Sequence, residues 1–242
     1  MGSPEGRELD EKELAELLGA YGIEQWPRIP VTTEEEAVEA AAGLGWDVVL
    51  KATADHLKHR PDLAHVWRNI DNADEMRDAW GTMHGYIDTS ETSAGFIVQR
   101  TAPAGVPVMI RGVEDPLFGP VVSFGVSGAA SELLGDSAYR IPPMQELDAA
   151  EMVREIKAAP LLLGYRGSEP VDTDALERLL LKVAQLKNDL PQVRALNLSL
   201  VNVGAKGATV LTAEARVEPA VDARTDWFVR RMASLEGGTL PG

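Results

Sequence analysis

Residues Asp115–Arg140 read DPLFGPVVSFGVSGAASELLGDSAYR, and the fold turns on how that stretch divides. Asp115-Pro116 sets a fixed backbone angle and Gly119-Pro120 closes a reversal, so a tight turn is expected. Val121-Val122-Ser123-Phe124 is short and apolar, which predicts a buried strand. Val106–Val113, just upstream, predicts its hairpin partner. Gly125, Ser127 and Gly128 then predict a loop whose backbone N–H groups can approach an anion closely. Glu132, Asp136 and Arg140 follow. The stretch therefore reads in two ways: a phosphate and metal neighbourhood, or a hairpin with a solvated loop.

Elements on either side alternate between helix and strand. Asp10 and Glu13 form a capping box, Leu9 and Leu14 a staple, and Gly22 ends the helix between them. A second helix is expected from Thr33 to about Gly43, followed by a strand at Asp47–Ala52. Asn72–Tyr86 predicts a helix and Gly95–Gln99 a strand. Asp148 is expected to cap a further helix, with Glu151 at the box position. Leu176, Leu179, Leu180, Val183 and Leu186 mark the longest helix, opened by Asp172 and stopped by Pro191. Ala195–Val203 and Ala208–Val217 predict a terminal hairpin turned at Gly204–Gly207. The order predicts an α+β, two-lobed protein. Residues 1–8 and 220–242 read as tails, 9–100 as a first lobe and 101–219 as a second.

The 242 residues carry a net charge of −15, which disfavours a nucleic-acid or anionic-membrane surface. A nucleotide needs only a few local donors and is not excluded. With no cysteine, there is no disulfide frame, thiolate metal site or cysteine nucleophile. No apolar run reaches membrane-spanning length, and MGSPEGRELDEKE lacks the pattern of a secretory signal, so a cytoplasmic location is expected. The chain is expected to be one domain of something longer.

Lys51 ends a VVLK strand, where it could hold phosphate or guard a sheet edge. His59 lies in a polar stretch with His56 and His65. It could carry a phosphoryl group or simply be solvated. The histidine spacing does not suit zinc. Glu214 and Ser199 fall on the two strands of the last hairpin, where a carboxylate and a hard oxygen could share Mg²⁺, or face solvent as a cross-strand pair. The sequence contains no Walker loop, nucleophile elbow, paired kinase motifs or dinucleotide fingerprint.

Taken in order, VVLKA, HRPDLAHV, VQR, the DPLFGP…SELLGD run, YRIPP, YRGSEPVD and ALNLSLV…TAEARV resemble the ATP-grasp subunit or domain of the NDP-forming acyl-CoA synthetases, from about Leu9 to Val217. The resemblance implies ATP and Mg²⁺ held between two α+β lobes. Lys51 would bind phosphates, and Ile97–Arg100, with Gln99 and Arg100, would line the adenine. Gly125, Gly128 and Arg140 would complete the nucleotide site. His59 would shuttle a phosphoryl group with Glu132 assisting, and Glu214 and Ser199 would hold the metal. A CoA-binding partner domain, absent from this sequence, would complete acyl-CoA formation.

Departures from the family pattern support a second reading. The two glycines of the family's histidine loop are Ala64 and His65 here, and the second glycine of its GLGG loop is Ala129. Arg100 replaces a glutamate, Ser199 the metal-binding asparagine, Asn197 the neighbouring aspartate and Glu214 an aspartate. On this reading the chain is a degenerate ATP-grasp module that senses a ligand, fused in a longer protein to an acetyltransferase domain.

Overall fold

The computed structural model describes residues 6–52, 66–85, 95–128 and 133–219. In chain order the elements are β1 (Arg7–Glu8), α1 (Glu11–Ala20), β2 (Arg28–Val31), α2 (Glu34–Leu44), β3 (Val48–Ala52), β4 (Val66–Ile70), α3 (Ala73–His84) and β5 (Phe96–Arg100). Then follow β6 (Val106–Asp115), β7 (Gly119–Val126), β8 (Ala138–Arg140), α4 (Glu146–Glu155), α5 (Pro160–Leu163), α6 (Thr173–Asp189), β9 (Val193–Gly204) and β10 (Gly207–Val217). Among the described residues no helix is long and apolar enough to cross a membrane.

The chain folds as two units: Trp26–Pro103 forms one, and Met1–Gln25 joins Ala104–Gly242 in the other. This division departs from a first lobe beginning at residue 9. Leu14, Leu18 and Ile23 are buried in the core of the larger unit, which is why α1 belongs there. A helix's apolar stripe shows that it packs, not on what.

In the smaller unit four strands pair antiparallel in the order β2-β5-β3-β4. Alternation sends Val48, Leu50, Phe96 and Val98 to one face, where Ala37, Ala40 and Ala41 of α2 and Met76, Ala79, Trp80 and Met83 of α3 cover them. Thr33 caps α2 by accepting from Glu36 N, and Asn72 caps α3 by accepting from Asp74 N and Glu75 N.

The larger unit carries a six-stranded antiparallel sheet in the order β1-β10-β9-β6-β7-β8. Val108, Ile110, Val122, Phe124, Leu196, Leu198 and Ala215 share one core with residues of α1, α4, α5 and α6. Helices on one face of an antiparallel sheet make this an α+β body. The β6–β7 hairpin turns where Asp115 Oδ1 accepts from Leu117 N (2.8 Å) and Phe118 N (3.0 Å). Lys187 of α6 is fully buried beneath β6, donates to Val193 O and lies 3.5 Å from Glu114 Oε2. Gly112 makes room for it, since a Cβ there would come within 2.6 Å of Lys187 Cγ. Asp172 caps α6 through Ala175 N, as expected. The cap of α4 lies three residues before the expected one. Gln145 precedes the helix, and Asp148, at the third helical position, accepts from Gln145 N at 2.7 Å.

Candidate functional site

The smaller unit gathers positive charge on the sheet face away from its helices. Lys51 pairs with Ile97, and Gln99 pairs with both Val49 and Arg28, so Lys51, Gln99 and Arg28 share this face. Lys51 also pairs with Val66 on β4. An extra residue in β4 between Trp67 and Ile70, with Asn69 left-handed at φ 60, leaves Arg68 on the Lys51 side. Gln99 is buried, and its Oε1 accepts from Lys51 Nζ at 2.5 Å.

Burial pulls the Lys51 ammonium down to about 8, and the nearby Arg68 and then Arg28 push it the same way. Basic groups gathered on one face favour an anion beside them. In a chain of net charge −15 such a gathering is not a by-product of composition. It suits a polyphosphate, with Lys51 as a point charge and the two guanidinium groups as forks. Arg28 and Arg68 were not expected from the sequence, because each is a single arginine in a short strand and only the strand pairing brings them together.

Arg100 is not on this face. Its register partner is Val48, on the helix-covered side. Its N–H donates to Pro27 O, its carbonyl accepts from Trp26 Nε1, and its guanidinium lies 5.9 Å from the Trp26 ring centroid. With both backbone groups engaged and the side chain over an indole, Arg100 caps the end of β5.

Two residues of the larger unit also stand in surroundings other than the expected ones. Gly125 is not in a loop: it lies inside β7, buried, paired with Met109. A Cβ there would meet Asp136 O at 2.7 Å, so the missing side chain admits a close backbone approach. Arg140 pairs with Val122 and lies on the helix side, where it holds Glu155 at 2.7 Å and Glu151 at 3.5 Å. Asp136 anchors a bend by accepting from Lys157 N (2.8 Å) and Ala158 N (2.9 Å). Gly128 is exposed with φ +130, a conformation that a glycine adopts without strain. His59 and Glu132 lie outside the described residues.

The sheet face turned away from the helices carries the hard oxygens. Glu214 is exposed and faces Asn197 directly across β10 and β9. Ser199 is half-buried at an irregular point, where β9 carries an extra residue between Leu198 and Val201 relative to β6. Asn197 Oδ1 is buried with no hydrogen-bond partner. Among the described residues no cluster of three or more His, Asp or Glu could cage a metal. Mg²⁺ does not need one, since it is bound by one or two carboxylates together with substrate phosphates. One carboxylate and an orphaned amide oxygen therefore fit this ion.

A family model described as ATP-grasp domain matches residues 3–217. Over 199 residues the chain is 38% identical to acetate–CoA ligase [ADP-forming] I subunit beta of Pyrococcus furiosus, covering 81% of this chain and 85% of that one. This chain belongs to the ATP-grasp family, with the ADP-forming acyl-CoA ligases. The ATP-grasp chain also matches Ca. Korarchaeum cryptofilum dinucleotide forming acetyl-coenzyme A synthetase 1 in complex with coenzyme A, Ca-AMPCP and HgCl+. There the TM-score is 0.78 and the identity 32%, over 88% of this chain and 94% of that one. The same synthetase in complex with coenzyme A and Mg-AMPPCP, its phosphohistidine segment pointing towards the nucleotide binding site, matches with TM-score 0.72 and 32% identity, over 87% of this chain and 93% of that one.

Proposed function

We propose that this ATP-grasp chain binds Mg-ATP or Mg-ADP and passes a phosphoryl group between the nucleotide and His59, as one part of an ADP-forming acyl-CoA synthetase. The observation that carries the reading is the Lys51 face, where Lys51, Arg28 and Arg68 meet beside a buried Gln99. Its support is the similarity to a ligase subunit and to a synthetase that takes adenine nucleotide analogues and carries a phosphohistidine segment.

The residues divide the work by charge. Lys51, Arg28 and Arg68 hold the phosphate oxygens and stabilise the charge that shifts onto the leaving diphosphate. Gln99 receives the Lys51 ammonium and sets its direction. Glu214, with a hard oxygen from β9, would hold Mg²⁺, whose chemistry is to neutralise phosphate oxygens. His59, as the neutral imidazole, supplies the lone pair. A P–N bond forms as the bond between the γ-phosphorus and its bridging oxygen breaks, and ADP leaves with that electron pair. The reverse transfer regenerates ATP. A CoA-binding partner domain takes the phosphoryl group onward to the acyl group. In the test, the chain is incubated with γ-labelled ATP and Mg²⁺. Acid-labile label on the wild type, absent from His59→Ala, is expected, and no label on intact protein would count against the reading.

One observation favours a second reading. On the metal face the residue opposite the Glu214 carboxylate is an amide, Asn197, rather than a second carboxylate. A module that kept nucleotide binding and lost phosphoryl transfer would look like this, and would serve as a sensor in a longer protein, fused for instance to an acetyltransferase. Nucleotide binding without histidine label would select it.

A further inference from the structure

The sheet face of the larger unit that lies away from its helices presents four polar side chains in one register row. Glu214 of β10 faces Asn197 of β9, Asn197 faces Arg111 of β6, and Arg111 faces Ser123 of β7. Arg111 is exposed at the centre of a six-stranded sheet. Among the described residues no side-chain hydrogen bond or ion pair engages its guanidinium. Beside it Asn197 Oδ1 is buried and lacks a donor. An unpaired cation and an unpaired acceptor on adjacent strands do not satisfy each other here.

We propose that this row receives the metal-bound end of a nucleotide: Arg111 contacts phosphate oxygens, and Asn197 Oδ1 joins the Glu214 carboxylate on the Mg²⁺ ion, in place of Ser199. The assignment rests on the nucleotide-binding reading above and adds two residues to it. A guanidinium fork matches phosphate. An amide oxygen and a carboxylate are the hard donors that Mg²⁺ accepts. Rotation about the last torsion of Asn197, which is broad for an amide, turns its oxygen from the sheet toward Glu214. Ser199 is the poorer candidate, since it sits at the bulge and has no register partner on either neighbouring strand.

Isothermal titration of the full chain with ADP, once with Mg²⁺ and once with chelator, separates the two contributions. Wild type is expected to bind ADP more tightly with Mg²⁺. Arg111→Gln should weaken ADP about tenfold in both conditions, the loss of one charge-assisted contact. Asn197→Ala should abolish the gain from Mg²⁺ and leave binding in chelator unchanged, Asn197→Asp should restore the gain, and Ser199→Ala should leave both unchanged. Unaltered thermal unfolding is the control for each variant. Wild-type affinity in Arg111→Gln, or loss of the Mg²⁺ gain in Ser199→Ala but not in Asn197→Ala, overturns the assignment while the nucleotide reading stands. No ADP binding by wild type in either condition overturns both.

Discussion

Lys51 Nζ and Gln99 Oε1 meet at 2.5 Å although the two residues are 48 positions apart in the chain. Pairing of β3 with β5 brings them together, and burial of Gln99 gives the amide a defined position. An ammonium drawn to about 8 by burial, Arg68 and Arg28 is about half neutral at that pH. Phosphate oxygens favour its charged form. Nucleotide binding near pH 8 to 9 should therefore take up protons. Titration calorimetry in two buffers of different ionisation enthalpy should give different apparent enthalpies, and Lys51→Met should remove the difference. Identical enthalpies for wild type would contradict this.

The same shift sets a stability trend. The folded-state value of Lys51 lies below the ordinary 10.5, so between about 8 and 10.5 the unfolded chain holds a proton that the folded chain has released. Stability rises with pH wherever the unfolded state binds more protons. Within this window the contribution of Lys51 should improve as pH increases, and below about 8 its cost is fully present. Urea denaturation at pH 7.5 and 9.5 should show Lys51→Met gaining less from the change than wild type does.

Gly125→Ala tests the reassignment of that glycine. Its methyl would meet Asp136 O at 2.7 Å, against backbone that has little room to shift. Destabilisation of about 1–3 kcal/mol is expected from such overpacking. ADP affinity of the folded fraction should not change. A stable variant with weakened ADP binding would return Gly125 to the phosphate loop.

Asp136→Ala should be costly for a different reason. The carboxylate satisfies the N–H groups of both Lys157 and Ala158, and the residue is buried. Removing it orphans two donors, at about 2–3 kcal/mol in denaturant melts. Arg140→Ala should cost about 1 kcal/mol, because Glu151 and Glu155 are themselves exposed. Neither variant should alter ADP affinity.

The large periodic elements were legible in the residues. The leucine stripe of α6, the Asp10–Glu13 box and the β9–β10 hairpin stand where pattern and caps place them. Short strands were not: RIPV, VWRNI and AYR are too brief to show a period, and tertiary pairing alone makes them β2, β4 and β8. The differences in placement at the site follow from this. Without β8 there is no parity to send Arg140 to the helix side, and without β2 and β4 there is no reason to gather Arg28 and Arg68 around Lys51. Gly125 was misplaced because a glycine in an apolar run looks the same whether it opens a loop or admits a neighbouring backbone. Lys51 and Gln99 stand on strands that the resemblance marked, β3 and β5. Glu214 was legible as a lone carboxylate in a strand, but its true opposite number, Asn197, was visible only once the register was known.

The central claim is that the Lys51 face holds a nucleotide by its phosphates, and equilibrium binding of Mg-ADP to wild type and Lys51→Met tests it most directly. The account predicts saturable binding by wild type and a loss of about 10- to 100-fold in Lys51→Met, as expected for a charge-assisted phosphate contact of about 1.5–3 kcal/mol. Equal affinity in the two proteins, or no binding by folded wild type, would contradict it.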